Sequence, residues 1–194
     1  MLRTARYPGV LLFGLILFLQ GGNEAALSGW TSTYIGSVGW SPFSATVVLL
    51  GYWVLAIAGR MLSARAQAHL GKARLVLVSA VTSVGGCVIL LAAAAWLPVL
   101  TGGVWLTSFA FAAIYPTVLA IAGDRYQRFA GTVFGLLFSI GALGNVSFPW
   151  AVGHISQAAG VRLGMLVPLV GTIGVSLCAL VVLRREAADS GRNL

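Results

Sequence analysis

Residues 75–97 read LVLVSAVTSVGGCVILLAAAAWL, a run without a charge or an amide. Crossing the hydrocarbon core of a bilayer takes about 20 predominantly apolar residues in a helix. This run meets that length and has Lys72 and Arg74 just before it. Working outward, five more apolar runs fall at 9–27, 43–59, 100–122, 131–152 and 163–183. The run 43–59 is short, but Ser41-Pro42 can start its helix and Arg60 can snorkel at its end. If every run crosses, the connecting segments alternate between two sides. One side collects Arg3, Arg6, Arg60, Arg65, Lys72, Arg74, Arg125, Arg128, Arg184, Arg185 and Arg192; the other collects only Arg162. Basic residues in short loops stay cytoplasmic. The charge split therefore predicts an all-α, multi-pass protein of the cell (inner or plasma) membrane, with both termini cytoplasmic. All 194 residues form one six-helix domain, and 184–194 is a cytoplasmic tail.

Composition agrees. Hydrophobic residues make up 59% and charged residues 8% of the chain, against about 25% charged in soluble domains. The net charge of +8 follows from the positive-inside bias and adds attraction to anionic membrane lipid. It does not imply nucleic acid, because no soluble domain presents a basic surface. Cys87 and Cys178 lie inside apolar runs, without metal-ligand spacing, so no metal site and no cofactor are expected. Arg3 and Arg6 before the run 10–19 resemble the start of a signal peptide. The segment Gln20-Gly21-Gly22-Asn23-Glu24 is a poor cleavage site, so the run is expected to remain as a spanning helix.

The loops should be short on the cytoplasmic side, at 61–74 and 123–130, and longest outside, at 28–41. Trp30, Tyr34 and Trp40 suit an interfacial aromatic belt. A weak repeat joins Gly59-Arg60-Met61-Leu62-Ser63 and Gly71-Lys72-Ala73-Arg74 to Gly153-His154-Ile155-Ser156 and Gly160-Val161-Arg162. The two copies fall on opposite sides of the membrane, as a 3+3 inverted repeat gives. The small-residue pattern Gly131, Gly135, Ser139, Gly141 and Gly144 suits close helix packing.

Polar side chains single out four of the six runs. The first holds Gln20, Asn23 and Glu24, the second Tyr52 and Trp53, the fourth Tyr115, Pro116 and Thr117, and the fifth Asn145, Pro149 and Trp150. Lipid solvates such groups poorly, so these helices should face protein or a water-filled cavity, leaving the third and sixth to face lipid. Glu24 is the one acid within a run, about 22 Å along its helix at 1.5 Å per residue. That depth is the outer third of the bilayer, where it either serves a solute or a proton or is simply solvated. Gln20, four residues earlier, extends the polar stripe. Arg60 and Arg65 can pair with Asp124 as a cytoplasmic gate, or act only as topology signals. The histidines, at 69 and 154, lie in loops on opposite sides, and no nucleophile–base, paired-carboxylate or metal spacing occurs. An enzyme is not expected.

Gly22-x-Glu24, Trp30, Tyr34, Gly59-Arg60, Gly71-x-x-Arg74, Tyr115-Pro116-Thr117, Gly141-x-x-Gly144 and Pro149-x-x-x-Gly153 together resemble the C-terminal half of a major facilitator superfamily transporter. The branch they resemble is that of the fucose-permease-like sugar transporters, and the likeness runs from about residue 8 to 183. The resemblance implies helices seven to twelve of a twelve-helix carrier working by alternating access, with its first and fourth helices lining a central cavity and its third and sixth peripheral. It also implies a second six-helix half as partner. The residues this branch ties to proton coupling lie in that other half, and the loop after Gly59-Arg60 lacks the superfamily's Asp. The expected substrate is a small polar solute, a sugar or relative, held by Gln20, Asn23, Glu24, Trp53, Tyr115 and Asn145, with Arg60 and Asp124 gating. Rings stack on sugar faces and amides bond hydroxyls. The alternatives are a drug-type efflux half and a membrane fragment or scaffold without transport activity.

Overall fold

The computed structural model describes residues 8–93 and 96–191, Pro8 and the last three by their backbone alone. Arg3, Arg6 and Arg192, which entered the charge count, lie outside the described residues. The chain forms α1 (Pro8–Ser37), α2 (Pro42–Leu70), α3 (Lys72–Ala92), α4 (Leu97–Arg125), a 3-10 turn (Gln127–Phe129), α5 (Ala130–Ala159), the short α6 (Val161–Gly164) and α7 (Leu166–Gly191). Six helices among the described residues are long and apolar enough to cross a membrane, with α6 and α7 together making the sixth.

The helices outrun the apolar runs that predict them. α2 does start at Ser41-Pro42: the Ser41 hydroxyl accepts the Ser44 amide at 3.2 Å, and Pro42 occupies the first turn, where its missing N–H costs nothing. It continues to Leu70, so the expected loop 61–74 shrinks to Gly71. α1 continues to Ser37, which reduces the expected loop 28–41 to residues 38–41. α7 carries the expected tail as helix through Gly191. Hydropathy marks only the part of a helix that lies in hydrocarbon, whereas the backbone ladder extends until a residue breaks it.

The repeat is visible in the packing. Exchanging α1 with α4, α2 with α5 and α3 with α7 maps the packed helix pairs onto one another: α1 on α5 becomes α4 on α2, and α3 on α4 becomes α7 on α1. Successive crossings alternate in direction, so each exchanged pair runs oppositely, as an inverted repeat requires. The two sequence copies end alike. Gly71 (φ 77°, ψ 151°) and Gly160 (φ 91°, ψ 154°) close α2 and α5, each returning its amide to the carbonyl four residues back, of Gln67 and Ser156. Positive φ at those two turns suits glycine, which has no Cβ to clash.

Small residues set the closest seams. A Cβ on Gly144 would overlap the Phe18 carbonyl, and one on Gly103 would lie 2.6 Å from the Leu90 amide nitrogen. These glycines let α5 approach α1 and α4 approach α3 at backbone distance. Gly131 and Gly135 meet nothing within 4 Å, so only the Gly141–Gly144 part of the small-residue pattern packs inside this unit. Tyr34 is not in an aromatic belt. It is fully buried, and its hydroxyl donates to the Leu90 carbonyl at 3.4 Å, because the extended α1 carries it alongside the end of α3. α1 and α4 are the most buried spanning helices, while α2 and α5 are the least.

Candidate solute cavity

A cavity of about 650 Å³ opens on the face shared by α1, α2, α4 and α5. Each helix contributes through its own period. Glu24 and Ser28 stand four apart on α1, and Arg60, Ser63, Ala64 and Gln67 follow the i, i+3, i+4, i+7 pattern on α2. α4 supplies Tyr115, Pro116 and Leu119, and α5 supplies Phe138 and Asn145. Pro116 has no N–H, so the Ala112 carbonyl loses its helical donor; Pro149 does the same to the Asn145 carbonyl beside the cavity.

The central polar feature is an ion pair. Arg60 Nη2 donates to Glu24 Oε1 at 3.0 Å, with the Arg60 side chain 52% and the Glu24 side chain 21% exposed. Both sit far from the helix ends. At 1.5 Å per residue, Glu24 lies about 24 Å from Pro8 and about 20 Å from Ser37, and Arg60 about 15 Å from Leu70. Glu24 thus stands near the middle of α1, which runs ten residues past 27. Around the pair stand aromatic faces. Trp53 is 45% exposed and sits edge-on to Tyr52 at 5.3 Å between centroids. Tyr115 stacks on Phe138 at 6.3 Å, with 25° between the rings. Gln67 Nε2 donates to Thr117 Oγ1 at 3.2 Å below them.

Of the residues chosen from sequence, Glu24, Trp53, Tyr115 and Asn145 line this cavity, and Arg60 joins them. Gln20 and Asn23 do not. Gln20 is fully buried against α4, its Nε2 3.5 Å from the Phe111 carbonyl. Asn23 is turned about 100° from Glu24 on the helix and is buried against Gly171 and Phe148. The expected pairing of Arg60 or Arg65 with Asp124 is also corrected. α2 passes Arg60 by ten residues, and the turn at Gly71 brings Lys72 to Asp124 instead. Ser28, Ser63, Gln67 and Phe138 are cavity residues that the sequence did not assign to the site. The α2 members carried a signal, helical spacing from Arg60, which the assumed end of the helix at 59 concealed.

The sequence model of the Major Facilitator Superfamily matches residues 13–194. No curated protein matches the chain. Among solved structures, a peptide transporter POT (E310Q mutant) in complex with sulfate superposes with a TM-score of 0.78 at 17% identity, over 89% of this chain and 37% of that one. A Major Facilitator Superfamily transporter, FucP, in the outward conformation superposes with a TM-score of 0.73 at 21% identity, over 91% of this chain and 43% of that one. This chain therefore spans about two fifths of the length of each.

Proposed function

Because the chain belongs to the Major Facilitator Superfamily, we propose that it forms one wall of an alternating-access carrier for a small polar solute, a sugar or a relative. The observation that carries this reading is the cavity itself. Paired charges, an amide and exposed rings meet at mid-helix depth, where an all-lipid surface would carry none of them. Glu24, Arg60 and Asn145 bond the solute's polar groups, and Trp53, Tyr115 and Phe138 offer ring faces to its apolar side. Arg60 is thereby reassigned from the gate to the solute site, and Asp124, paired with Lys72 at the exposed end of the bundle, contributes little to gating.

The other wall comes from a second six-helix half. Exposed Phe43, Val54, Ile57 and Met61 on α2, with Val146 and Trp150 on α5, support docking there. The open Gly131 and Gly135 suit close approach of a partner helix. The membrane is the cell (inner or plasma) membrane, and both termini are cytoplasmic. Cysteine labelling of intact cells tests that orientation: Gly36→Cys labels and His69→Cys is protected, and the reverse pattern inverts the topology.

The Glu24–Arg60 pair favours a second reading, a zwitterionic solute that offers a cation to Glu24 and an anion to Arg60. A peptide transporter is among the proteins of similar fold. One experiment separates the readings. The chain is reconstituted with a second half, and uptake is competed with neutral sugars and with dipeptides. Competition by sugars alone supports the first, by dipeptides alone the second, and by neither overturns both.

A further inference from the structure

We propose that the end of the bundle opposite Lys72 and Asp124 holds a specific site for an anionic phospholipid, with Arg162 gripping its phosphate and a groove between α3 and α7 taking an acyl chain. The groove has a volume of about 430 Å³, and apart from Arg162 its walls are apolar: Val88, Leu91 and Ala92 from α3, and Leu163, Leu166 and Leu169 from the other side. Arg162 stands at its head, and its Nη2 donates to the Leu91 carbonyl at 3.2 Å. That bond fixes the guanidinium over the groove while leaving its other N–H groups to donate elsewhere.

Depth matches the ligand. α3 has 21 residues, which makes it about 31 Å long at 1.5 Å per residue and therefore as long as the hydrocarbon core is thick. Leu91 is the residue before its last. Its carbonyl, and Arg162 with it, then lies at the hydrocarbon–headgroup boundary, where lipid phosphates sit. From Arg162 to Leu169 the groove descends about 10 Å at helical rise, which accommodates the upper part of an acyl chain.

Charge selects among lipids. Among the described residues, no carboxylate lies at this end: Glu24 pairs with Arg60 at mid-helix, Asp124 pairs with Lys72 at the other end, and Glu186 sits beside Arg125 there. Positive-inside sorting disfavours an arginine at this end. A net-anionic headgroup gives Arg162 a counter-ion, whereas a choline headgroup would bring a second cation beside it.

The test uses the full chain in liposomes carrying a trace of phosphatidylglycerol with a diazirine in one acyl chain, and mass spectrometry locates the adducts. Adducts on the 88–92 and 163–169 segments are expected. Arg162→Gln is expected to lower them about fivefold, since one basic contact near the surface is worth about 1 kcal/mol. Arg162→Lys is expected to retain most of them. Leu166→Trp, which fills the groove, is expected to abolish them without touching the charge. Arg128→Gln, at the opposite end, is the control and is expected to leave them unchanged. Equal labelling of Arg162→Gln and parent, or equal labelling by the matched phosphatidylcholine probe, overturns the proposal and leaves the groove as ordinary boundary surface. If Arg162→Gln fails to fold, as circular dichroism would show, the phosphatidylcholine comparison on the parent still decides.

Discussion

Two ion pairs of the same chemistry occupy opposite settings in this fold. Glu24–Arg60 joins α1 to α2 at mid-helix depth, with its carboxylate only 21% exposed. Lys72–Asp124 joins α3 to α4 at the end of the bundle, with Asp124 66% exposed. Water and salt screen the second pair, and such pairs contribute about 0–1 kcal/mol. The first faces a cavity walled largely by apolar and aromatic groups, where the Glu24 carboxylate, stripped of its partner, has little solvent to replace it, while the Arg60 side chain is 52% exposed. Setting, more than the identity of the partners, decides what each pair does.

The sharpest way to break this comparison is Glu24→Ala. It strands the Arg60 guanidinium, which cannot lose its proton, without an acceptor at mid-depth. Uptake by the two-half carrier is expected to fall to background. Stability should drop by about 2 kcal/mol, after discounting the buried-pair cost for the exposure of Arg60. A thermal scan in detergent should show this as several degrees. Unchanged uptake would place the pair outside the transport cycle.

The exchange Glu24→Arg with Arg60→Glu sharpens the point. It restores one charge of each sign to the cavity and is expected to recover the melting temperature lost in Glu24→Ala. Uptake is expected to stay near background, because a solute oriented by the pair would meet the charges reversed. Recovery of uptake along with stability would mean that the pair is a helix tie alone.

How much of this was legible in the sequence follows from what each signal measures. Hydropathy reports contact with lipid, so it located all six helices. It could not show that α2 continues ten residues past Arg60, because a helix lining a cavity or leaving the hydrocarbon needs no apolar residues there. That single boundary moved Arg60 from an expected gate into the cavity and gave Asp124 to Lys72. The phase of α1 failed differently. Gln20, Asn23 and Glu24 all promised a polar face, yet a helix surrounded by α2, α4, α5 and α7 has several inner faces. Only packing shows that Glu24 meets the cavity while Asn23 meets Gly171. The glycine ends of α2 and α5 were legible in outline, because positive φ at Gly71 and Gly160 is a local demand.

Glu24→Gln is a milder probe of the central pair. The amide keeps an oxygen for Arg60 but cannot ionise. Insertion and abundance should match the parent. Uptake should fall about tenfold, the scale of losing a hydrogen bond between charged groups. Any pH dependence that comes from this carboxylate should vanish. Parent-like uptake at every pH tested would make Glu24 a solvated bystander.

The smallest effect belongs to the outer member of the comparison. Asp124→Asn keeps the size of the side chain and removes the charge that Lys72 meets. Both partners have access to water, so each can be solvated when the other is gone, and the stability change should stay within about 1 kcal/mol. That is a melting shift of about 4 °C at most for a chain of this length. The shift should shrink further in 0.5 M salt, because the Debye length at that ionic strength is only about 4 Å. Uptake should remain within about twofold of the parent, the rate effect of a few tenths of a kcal/mol. Salt separates this pair from the central one: uptake by Glu24→Ala should be equally defective at low and high ionic strength, because Glu24, only 21% exposed, is a cavity group whose loss salt does not restore. If Asp124→Asn instead abolishes uptake at both salt concentrations, the end of α4 is part of the moving machinery, and exposure has ranked the two pairs in the wrong order.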